Sequence, residues 1–200
     1  MKKYNIILAD PPWKYNARNN TKTKFGGGAM GHYSVMKTED ICKLPVKDIA
    51  DDNCALFLWV TFPKLLEGLK VMDTWGFTYK TLGFSWVKTN KCNNEPFFGI
   101  GYYGKSNCEV CLLGIKGKMK PVSNKVSSCI ISPKEEHSKK PNIVRDRIVQ
   151  LFGDLPRVEL FARQKTPGWD VFGNEVESDI KLGLDNYDKK CYNDLAKEIK

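Results

Sequence analysis

Strand-like and helix-like segments alternate along almost the whole chain. Short apolar runs are separated by stretches whose apolar residues recur at helical spacing, or by polar loops that contain glycine or proline. This alternation is typical of an α/β fold in which helices cover both faces of a mostly parallel sheet. The strands are expected at residues 4–9, 54–60, 81–87, 108–115 and 157–162, and the helices at 38–41, 63–75 and 142–152.

The length of 200 residues corresponds to one domain with a substantial core. We expect the domain to span residues 1–177 and a peripheral helix or tail to follow at 178–200. The longest apolar runs are far shorter than the roughly 20 residues of a membrane-spanning helix, so no membrane association is expected. Met1-Lys2-Lys3 leads directly into the first expected strand, which predicts a cytoplasmic protein without a signal peptide. The compartment would be the bacterial host cytoplasm if the chain is phage-encoded.

The cysteines give no sign of disulfides or of a metal site. Their number, seven, is odd and their spacing is not that of a disulfide framework, which favours reduced thiols. Cys108 and Cys111 form a C-x-x-C pattern, but both lie in an expected strand, where residues three apart face opposite sides. With two histidines in the chain, we expect no metal.

The net charge of +9 suits a polyanionic partner. Basic residues concentrate in two polar segments, and each segment is either a phosphate-contacting surface or an ordinary solvated loop. The first interpretation is preferred because both segments flank candidate site residues. The first segment contains Lys14, Arg18, Lys22 and Lys24, and the second contains Lys116, Lys118, Lys120, Lys125 and Lys134.

The motif Asp10-Pro11-Pro12-Trp13 follows immediately after the first expected strand. Ligands in open α/β sheets bind beyond the carboxyl ends of the strands, so the motif stands where chemistry is expected. The prolines supply no N–H donor, and their carbonyls remain able to accept hydrogen bonds.

These acceptors suit the amino group of adenine, a poor nucleophile because its lone pair is delocalised into the ring. Asp10 and the Pro11 carbonyl would engage both N–H bonds and turn the lone pair towards a methyl donor. Trp13 would stack on the purine, a contact worth ~1–3 kcal/mol per base. The alternative is a tight turn after a strand.

Further segments accompany the motif in order along the chain: His32-Tyr33-Ser34-Val35-Met36, then residues 56–61, 86–90, 109–118, 138–141, 158–163 and 168–175. Together they resemble the MT-A70 family, which includes the catalytic subunit of the eukaryotic mRNA adenosine methyltransferase and many small phage and bacterial relatives. The resemblance covers roughly residues 4–177.

The resemblance implies a Rossmann-like S-adenosylmethionine-dependent methyltransferase fold, permuted so that the catalytic strand comes first. It also implies roles by position, among them a lysine, Lys140, that neutralises the carboxylate of the cofactor. The implied catalytic residues are Asp10, Pro11, Pro12 and Trp13; the substrate-binding residues are Tyr33, Glu109, Ser138 and Lys140; the cofactor-binding residues are Asp10, Lys140, Arg163, Lys165, Thr166, Asn174 and Glu175.

Three more polar residues lie in or beside strands. Glu159 stands inside an apolar strand, where an unpaired carboxylate would be costly, so we expect it to pair with a basic neighbour and support the site. Lys88 and Asn90 either close a strand or contact a ligand.

Residues 99–104 fit the G-x-G-x-x-G pattern of dinucleotide-binding folds. The pattern neither follows an expected strand nor opens a helix, so that interpretation fails. An aromatic-rich substrate loop is preferred, because aromatics interleaved with cations suit an unstacked nucleotide. A small satellite core is the alternative. The aromatics are Phe97, Phe98, Tyr102 and Tyr103, and the cations are Lys91 and Lys105.

The sequence thus predicts a methyltransferase that uses S-adenosylmethionine, without a metal, to methylate the N6 amino group of adenine in DNA. The adenine would be single-stranded or flipped out, because the amino group is inaccessible inside a duplex. A homodimer is possible. Two alternatives stay open: the same reaction on RNA, and an inactive homologue that binds nucleic acid or a partner as a scaffold.

Overall fold

One mixed sheet forms the centre of the molecule, which the computed structural model describes at residues 2–15, 35–99, 103–135 and 139–182. The strands are β1 Tyr4–Ala9, β2 Ala50–Val60, β3 Thr78–Thr89, β4 Cys108–Lys116, β5 Cys129–Pro133, β6 Arg157–Leu160 and β7 Asp170–Phe172. The helices are α1 Thr38–Cys42, α2 Val46–Ile49, α3 Leu65–Thr74 and α4 Ile143–Phe152, with a 3-10 helix at Phe62–Lys64 before α3.

Among the described residues, the strands lie in the order β5-β3-β4-β2-β1-β6-β7. β4 runs antiparallel to both of its neighbours, and the other adjacent pairs are parallel. β1 lies between β2 and β6, with Ile7 opposite Leu56 on one side and Val158 on the other. From β1 the chain continues to β2, which lies on one side of β1. From β6, on the other side of β1, the chain continues to β7, which lies farther out on that side. The carboxyl ends of β1 and β6 therefore flank a topological switch point, where ligands bind in such sheets.

The two faces of the sheet bury separate cores because side chains alternate along each strand. On one face, Ile7, Leu56 and Leu58 pack in a cluster with residues of α1, α2 and α3. On the other face, Leu8 and Trp59 belong to a cluster that includes the buried side of α4. Helices on both faces of a mostly parallel sheet confirm the α/β fold expected from the sequence.

Several short elements were not expected from the sequence. β5 buries a single side chain, Ile130, and β7 has three residues, so neither gives a clear apolar run. β2 begins at Ala50 and not at residue 54 as expected. Asp51 and Asp52 form part of the strand but are not buried, so the apolar pattern does not include them. The helix expected at 63–75 begins instead as the 3-10 helix.

The packed chain continues beyond residue 177, the expected end of the domain. Asp179 accepts a hydrogen bond from the backbone N–H of Val171 at 3.0 Å, and Leu182 is buried in the core cluster of the α1–α3 face. Residues 183–200 of the expected peripheral helix or tail lie outside the described residues. In the part of the chain that the structure describes, no helix is both long and apolar enough to cross a membrane.

Candidate active site

A cleft opens at the side of the sheet where β1, β2 and β6 end, on the face that α4 covers. This side is called the edge that carries the cleft, and the side where these strands begin is called the opposite edge. Leu8 lies one residue inside β1 and Asp10 directly after it, so both side chains point to this face. Trp59 of β2 and Glu159 of β6 reach the same cleft. The full lining is Leu8, Asp10, Trp59, Lys139, Lys140, Pro141, Val144, Arg145, Glu159, Phe161, Arg163, Gln164 and Glu175.

Four charged side chains alternate in sign beside this cleft. Lys140 Nζ donates to Asp10 Oδ2 at 2.7 Å and lies 3.3 Å from Glu109 Oε2. Lys88 Nζ donates to Glu109 Oε1. The Lys140 and Glu109 side chains are each 15% exposed, so each charge depends on its partners for compensation. Asp10, Lys140, Glu109 and Lys88 are called the charge cluster below.

Burial and the neighbouring charges shift the pKa values of three members of the charge cluster, Asp10, Glu109 and Lys140. Burial raises the pKa of Asp10 above its ordinary value, although the ammonium group of Lys140 opposes this shift. Burial also acts to raise the pKa of Glu109, but Lys140 and Lys88 outweigh it and hold that pKa below its ordinary value. Burial acts to lower the pKa of Lys140, but Asp10 and Glu109 outweigh it and raise that pKa. The pKa values of the two carboxylates of the charge cluster are therefore shifted in opposite directions.

Backbone hydrogen bonds within the motif and to Met36 fix the conformation of the Asp10–Trp13 segment. The Pro11 carbonyl accepts from the N–H of Trp13 at 2.9 Å, and the Pro12 carbonyl accepts from the N–H of Met36 at 2.7 Å. Neither carbonyl is therefore as open as the sequence suggested. A carbonyl oxygen has two lone pairs, so Pro11 keeps the capacity to accept one more hydrogen bond.

Trp13 lies in the core and not on the cleft wall. Its side chain is 6% exposed, and its indole Nε1 donates to the Trp59 carbonyl at 3.1 Å. The stacking role expected from the sequence is at odds with this position, because the ring faces are already covered. Trp13 instead ties the segment after Asp10 to the end of β2.

Glu159 pairs with a basic neighbour, as expected from its place in an apolar strand. Arg145 of α4 donates through Nε to Glu159 Oε2 at 2.7 Å and through Nη2 to Oε1 at 2.8 Å. This two-pronged contact fits the planar guanidinium to the carboxylate and joins α4 to β6. The pair forms a second charged wall of the cleft.

The segment after β6 brings Arg163 and Glu175 together at the cleft, with Arg163 Nε donating to Glu175 Oε2 at 3.1 Å. Phe161 precedes Arg163 with φ of 63°, a left-handed conformation that is rare for a bulky side chain. It turns the chain out of β6 so that the N–H of Ala162 donates to the carbonyl of Phe172. The strain thus stands at the wall of the cleft, where such outliers often mark function.

Three expected cofactor residues are absent from the cleft lining in the described part of the chain: Lys165, Thr166 and Asn174. Lys165 donates instead to Asp179 Oδ1 at 2.8 Å. Two expected substrate residues, Tyr33 and Ser138, lie outside the described residues.

Some residues of the cleft were not assigned from the sequence, notably Trp59 and Arg145. Lys140 Nζ lies 5.6 Å from the centre of the Trp59 ring, so this indole stabilises the ammonium group through a cation–π contact. The signal for Trp59 was its place near the end of the strand next to β1. The signal for Arg145 was its position in the expected helix, one turn after Lys140 and Pro141.

The second basic segment lies mostly at the opposite edge of the sheet, which corrects the expectation that it flanks the site. Lys116 donates to the Ala50 carbonyl at the start of β2, and the N–H of Lys118 donates to Asn53 Oδ1. Lys134 differs, because it directly follows β5 at the edge that carries the cleft. In the first basic segment, Arg18, Lys22 and Lys24 lie outside the described residues.

Comparisons with known proteins agree with one another. The family model described as MT-A70 matches residues 4–175. The chain is 33% identical over 190 residues to the type II methyltransferase M.MunI of a Mycoplasma species, covering 88% of this chain and 78% of that protein. It is 30% identical over 200 residues to the putative N(6)-adenosine-methyltransferase MT-A70-like of Medicago truncatula, covering 96% of this chain and 30% of that protein. It is 26% identical over 179 residues to the human N(6)-adenosine-methyltransferase catalytic subunit METTL3, covering 88% and 28%. The chain thus spans less than a third of the plant and human relatives.

Proposed function

This chain belongs to the MT-A70 family, and from that premise we propose that it is a methyltransferase that transfers the methyl group of S-adenosylmethionine to the N6 amino group of adenine in DNA. The observation that carries the proposal is the ion pair of Asp10 and Lys140 at the switch point of the sheet. It holds a carboxylate beside a proline carbonyl, in a cleft with room for a ligand.

In this proposal Asp10 and Pro11 bind the amino group of adenine. Lys140 engages Asp10 Oδ2, which orients the carboxylate so that Oδ1 accepts one N–H bond of the amine. The second lone pair of the Pro11 carbonyl accepts the other. Two acceptors on one amine favour a pyramidal nitrogen whose lone pair is available for an in-line displacement. Catalysis then rests on positioning and on fixed electrostatics.

Proton transfer in this proposal also falls to Asp10. The amine loses a proton once the new N–C bond has formed, and Asp10 or a water molecule takes it. The raised pKa of Asp10 favours uptake of the proton by this carboxylate, whereas the pKa of Glu109 is lowered. Glu109 remains ionised and serves the substrate as a hydrogen-bond acceptor.

The chemistry of the cleft fits S-adenosylmethionine, a molecule with a zwitterionic amino-acid end, a ribose diol and a flat heterocycle. Lys140 would bind the carboxylate of the cofactor, Arg163 and Glu175 would bind its polar groups, and Leu8 and Phe161 supply apolar walls. When bound, the cofactor supplies an electrophilic methyl group, so the transfer needs no metal. Lys165, Thr166 and Asn174 remain proposed cofactor contacts, and Tyr33 and Ser138 remain proposed substrate contacts.

DNA is the preferred substrate class because the chain spans most of the relative named a type II methyltransferase, a term of DNA modification. RNA is the second candidate, because other relatives are named adenosine methyltransferases. In either case the adenine would be single-stranded or flipped out. A cytoplasmic location and a homodimer that shares recognition of the target sequence complete the proposal.

The decisive experiment incubates the purified chain and S-adenosylmethionine with single-stranded DNA and RNA oligonucleotides of matched sequence. Nucleoside mass spectrometry should detect N6-methyladenine in DNA above the level in RNA. Methylation of RNA alone would overturn the preference for DNA. Absence of product in both, with no cofactor binding by isothermal titration calorimetry, would favour the scaffold alternative.

A matched variant tests the role of Asp10. Asp10→Asn keeps the size of the side chain and removes its charge, and we expect turnover to fall at least ~100-fold, the scale of removing one preorganised electrostatic contact. Cofactor affinity should stay within about tenfold of wild type, because the other cleft residues are intact. Near-normal turnover would remove Asp10 from its proposed role.

A further inference from the structure

The connection between β3 and β4 forms a hairpin that extends beyond the sheet at the edge that carries the cleft. Thr89 forms a bridge with Pro96, and Gly99 forms another with Ser106. The described parts of this connection, residues 90–99 and 103–107, are called the hairpin below.

The hairpin is joined directly to the charge cluster through Lys88. The Lys88 carbonyl accepts from the N–H of Phe97 at 2.8 Å and from Asn107 Nδ2 at 3.1 Å. The side chain of the same lysine donates to Glu109. A second link joins the hairpin base to the end of β5, because the N–H of Lys134 donates to the Thr89 carbonyl at 3.2 Å. The hairpin therefore stands at a fixed place beside the candidate active site.

Aromatic rings and cations alternate on this surface. Phe98 is 55% exposed and Tyr103 is 98% exposed. Lys105 Nζ lies 5.7 Å from the centre of the Phe98 ring, and Lys134 Nζ lies 3.8 Å from that of Phe97. An aromatic ring with a lysine ammonium group beside it provides a face on which a base can stack and a positive charge that can contact a phosphate.

The charge balance of the hairpin favours a polyanion over an apolar protein surface. Lys91 and Lys105 are exposed, Lys134 adjoins them, and Glu95 is the single acidic residue between positions 90 and 107. Glu95 also accepts a hydrogen bond from Asn93 Nδ2 at 2.9 Å. Single-stranded nucleic acids are bound by this combination, because every base has a face that can stack and every nucleotide carries a phosphate.

We propose that the hairpin binds the unpaired nucleotides that flank the target adenine, with Phe98 and Tyr103 stacking on bases and Lys91, Lys105 and Lys134 contacting phosphates. This inference rests on the proposed function and adds a surface to it. The hairpin holds the strand while its link through Lys88 fixes the strand relative to Glu109. The surface reads no base edge, so it supplies affinity in any sequence context.

The test measures the affinity of the full chain for a fluorescein-labelled single-stranded DNA 20-mer with one adenine, by fluorescence anisotropy. Phe98→Ala and Tyr103→Ala should each weaken binding by about 5- to 100-fold, the range for loss of one base–aromatic stack. Tyr79→Ala is the matched control, because this exposed tyrosine lies near the start of β3 at the opposite edge. It should bind like wild type.

A second arm tests the phosphate contacts by the dependence of affinity on salt. Lys91→Gln and Lys105→Gln should each reduce the slope of log K against log salt by about 0.7, the value for one phosphate contact on a single strand. Lys118→Gln and Lys120→Gln, which change exposed lysines of the opposite edge, should leave the slope unchanged. Equal slopes in all four variants would overturn the proposal.

The outcomes separate this inference from the proposed function. If the wild-type chain methylates adenine and the hairpin variants bind the single-stranded DNA as tightly as wild type, the inference is overturned and the proposed function stands. Lost affinity in those variants, in a chain that forms no methylated adenine, supports the binding surface and overturns the function. A change of oligomeric state by light scattering, with unchanged affinity for DNA, assigns the hairpin to a protein interface and overturns the inference.

Discussion

Lys140 donates to Asp10 at 2.7 Å although 130 positions separate the two residues in the sequence. Asp10 follows β1, an interior strand of the sheet, and Lys140 precedes α4. The pair therefore forms only when α4 packs on the sheet through residues such as Val144 and Ile148. The candidate active site is thus a product of tertiary packing and not of a local motif.

Removal of the ammonium group of Lys140 should inactivate the protein. Lys140→Met would leave Asp10 and Glu109 as two neighbouring carboxylates without the cation between them. We expect kcat/KM to fall by roughly 100-fold or more, the scale of removing one preorganised electrostatic contact. Steady-state kinetics would measure this loss. Lys43→Met is the control, because this exposed lysine pairs with Asp40 of α1, which packs on the face of the sheet opposite to α4. Lys140→Arg should recover part of the activity. Activity within threefold of wild type in Lys140→Met would contradict the prediction.

The raised pKa of Asp10 should set the acidic limb of the activity profile. The carboxylate form accepts from the amine, so kcat/KM should be lost as the pH falls through a pKa above the ordinary value of 3.8. Glu109 contributes to this raised pKa through its like charge, so Glu109→Gln should move the limb to lower pH. The measurement is kcat/KM against pH in both proteins, and its readout is the position of the limb. A limb that does not move, or that moves to higher pH, would rule out this coupling.

The sequence was sufficient for the α/β fold class and for the position of Asp10 directly after β1. The apolar run before Asp10 and the alternation of segments predict a buried strand with a carboxylate at its end, because both signals are local. The need to pair Glu159 was also predictable, since it follows from the cost of a buried charge. The identity of its partner, Arg145, depends on how α4 crosses β6, which no local pattern encodes.

The error in placing the second basic segment has a similar physical origin. The lysines near position 118 follow β4, and β4 is antiparallel, so the segment runs to the edge opposite the cleft. Lys165 lies two positions after Arg163 but donates to Asp179 and does not line the described cleft, so its contact with the cofactor stays a prediction. Strand direction thus decides which of several neighbouring charges reaches a site.

A substitution at Trp13 tests whether this side chain stacks on the substrate or supports the structure of the core. Trp13→Phe keeps an aromatic ring in the core but removes the hydrogen bond to the Trp59 carbonyl. We expect the free energy of unfolding in urea to fall by about 1–2 kcal/mol, the cost of a buried acceptor left without its donor. The KM for an oligonucleotide should stay within about threefold of wild type, because the ring is buried in the core. A tenfold increase in KM with unchanged stability would restore the stacking role.

Gly173 controls the position of the cleft wall that carries Glu175. A Cβ added at Gly173 would lie 2.0 Å from the Ala162 carbonyl oxygen, and this backbone cannot easily yield because the N–H of Ala162 donates to Phe172. Gly173→Ala should therefore lower the free energy of unfolding by about 1–3 kcal/mol, as overpacked sites do. The segment that leads to Glu175 would shift with it, so affinity for S-adenosylmethionine should fall as well.

Gly104→Ala is the matched control for this substitution, because no atom of the described residues lies within 4 Å of the added Cβ. Urea unfolding and isothermal titration calorimetry on both variants would separate the cost of the contact from that of a glycine-to-alanine change itself, which favours the folded state slightly where the backbone permits it. If Gly173→Ala were as stable as Gly104→Ala and bound the cofactor equally well, the close approach of the two backbones would not govern the site. If stability fell while cofactor affinity stayed unchanged, Glu175 would lose its proposed contact, since the segment that carries it would have moved without effect on the ligand.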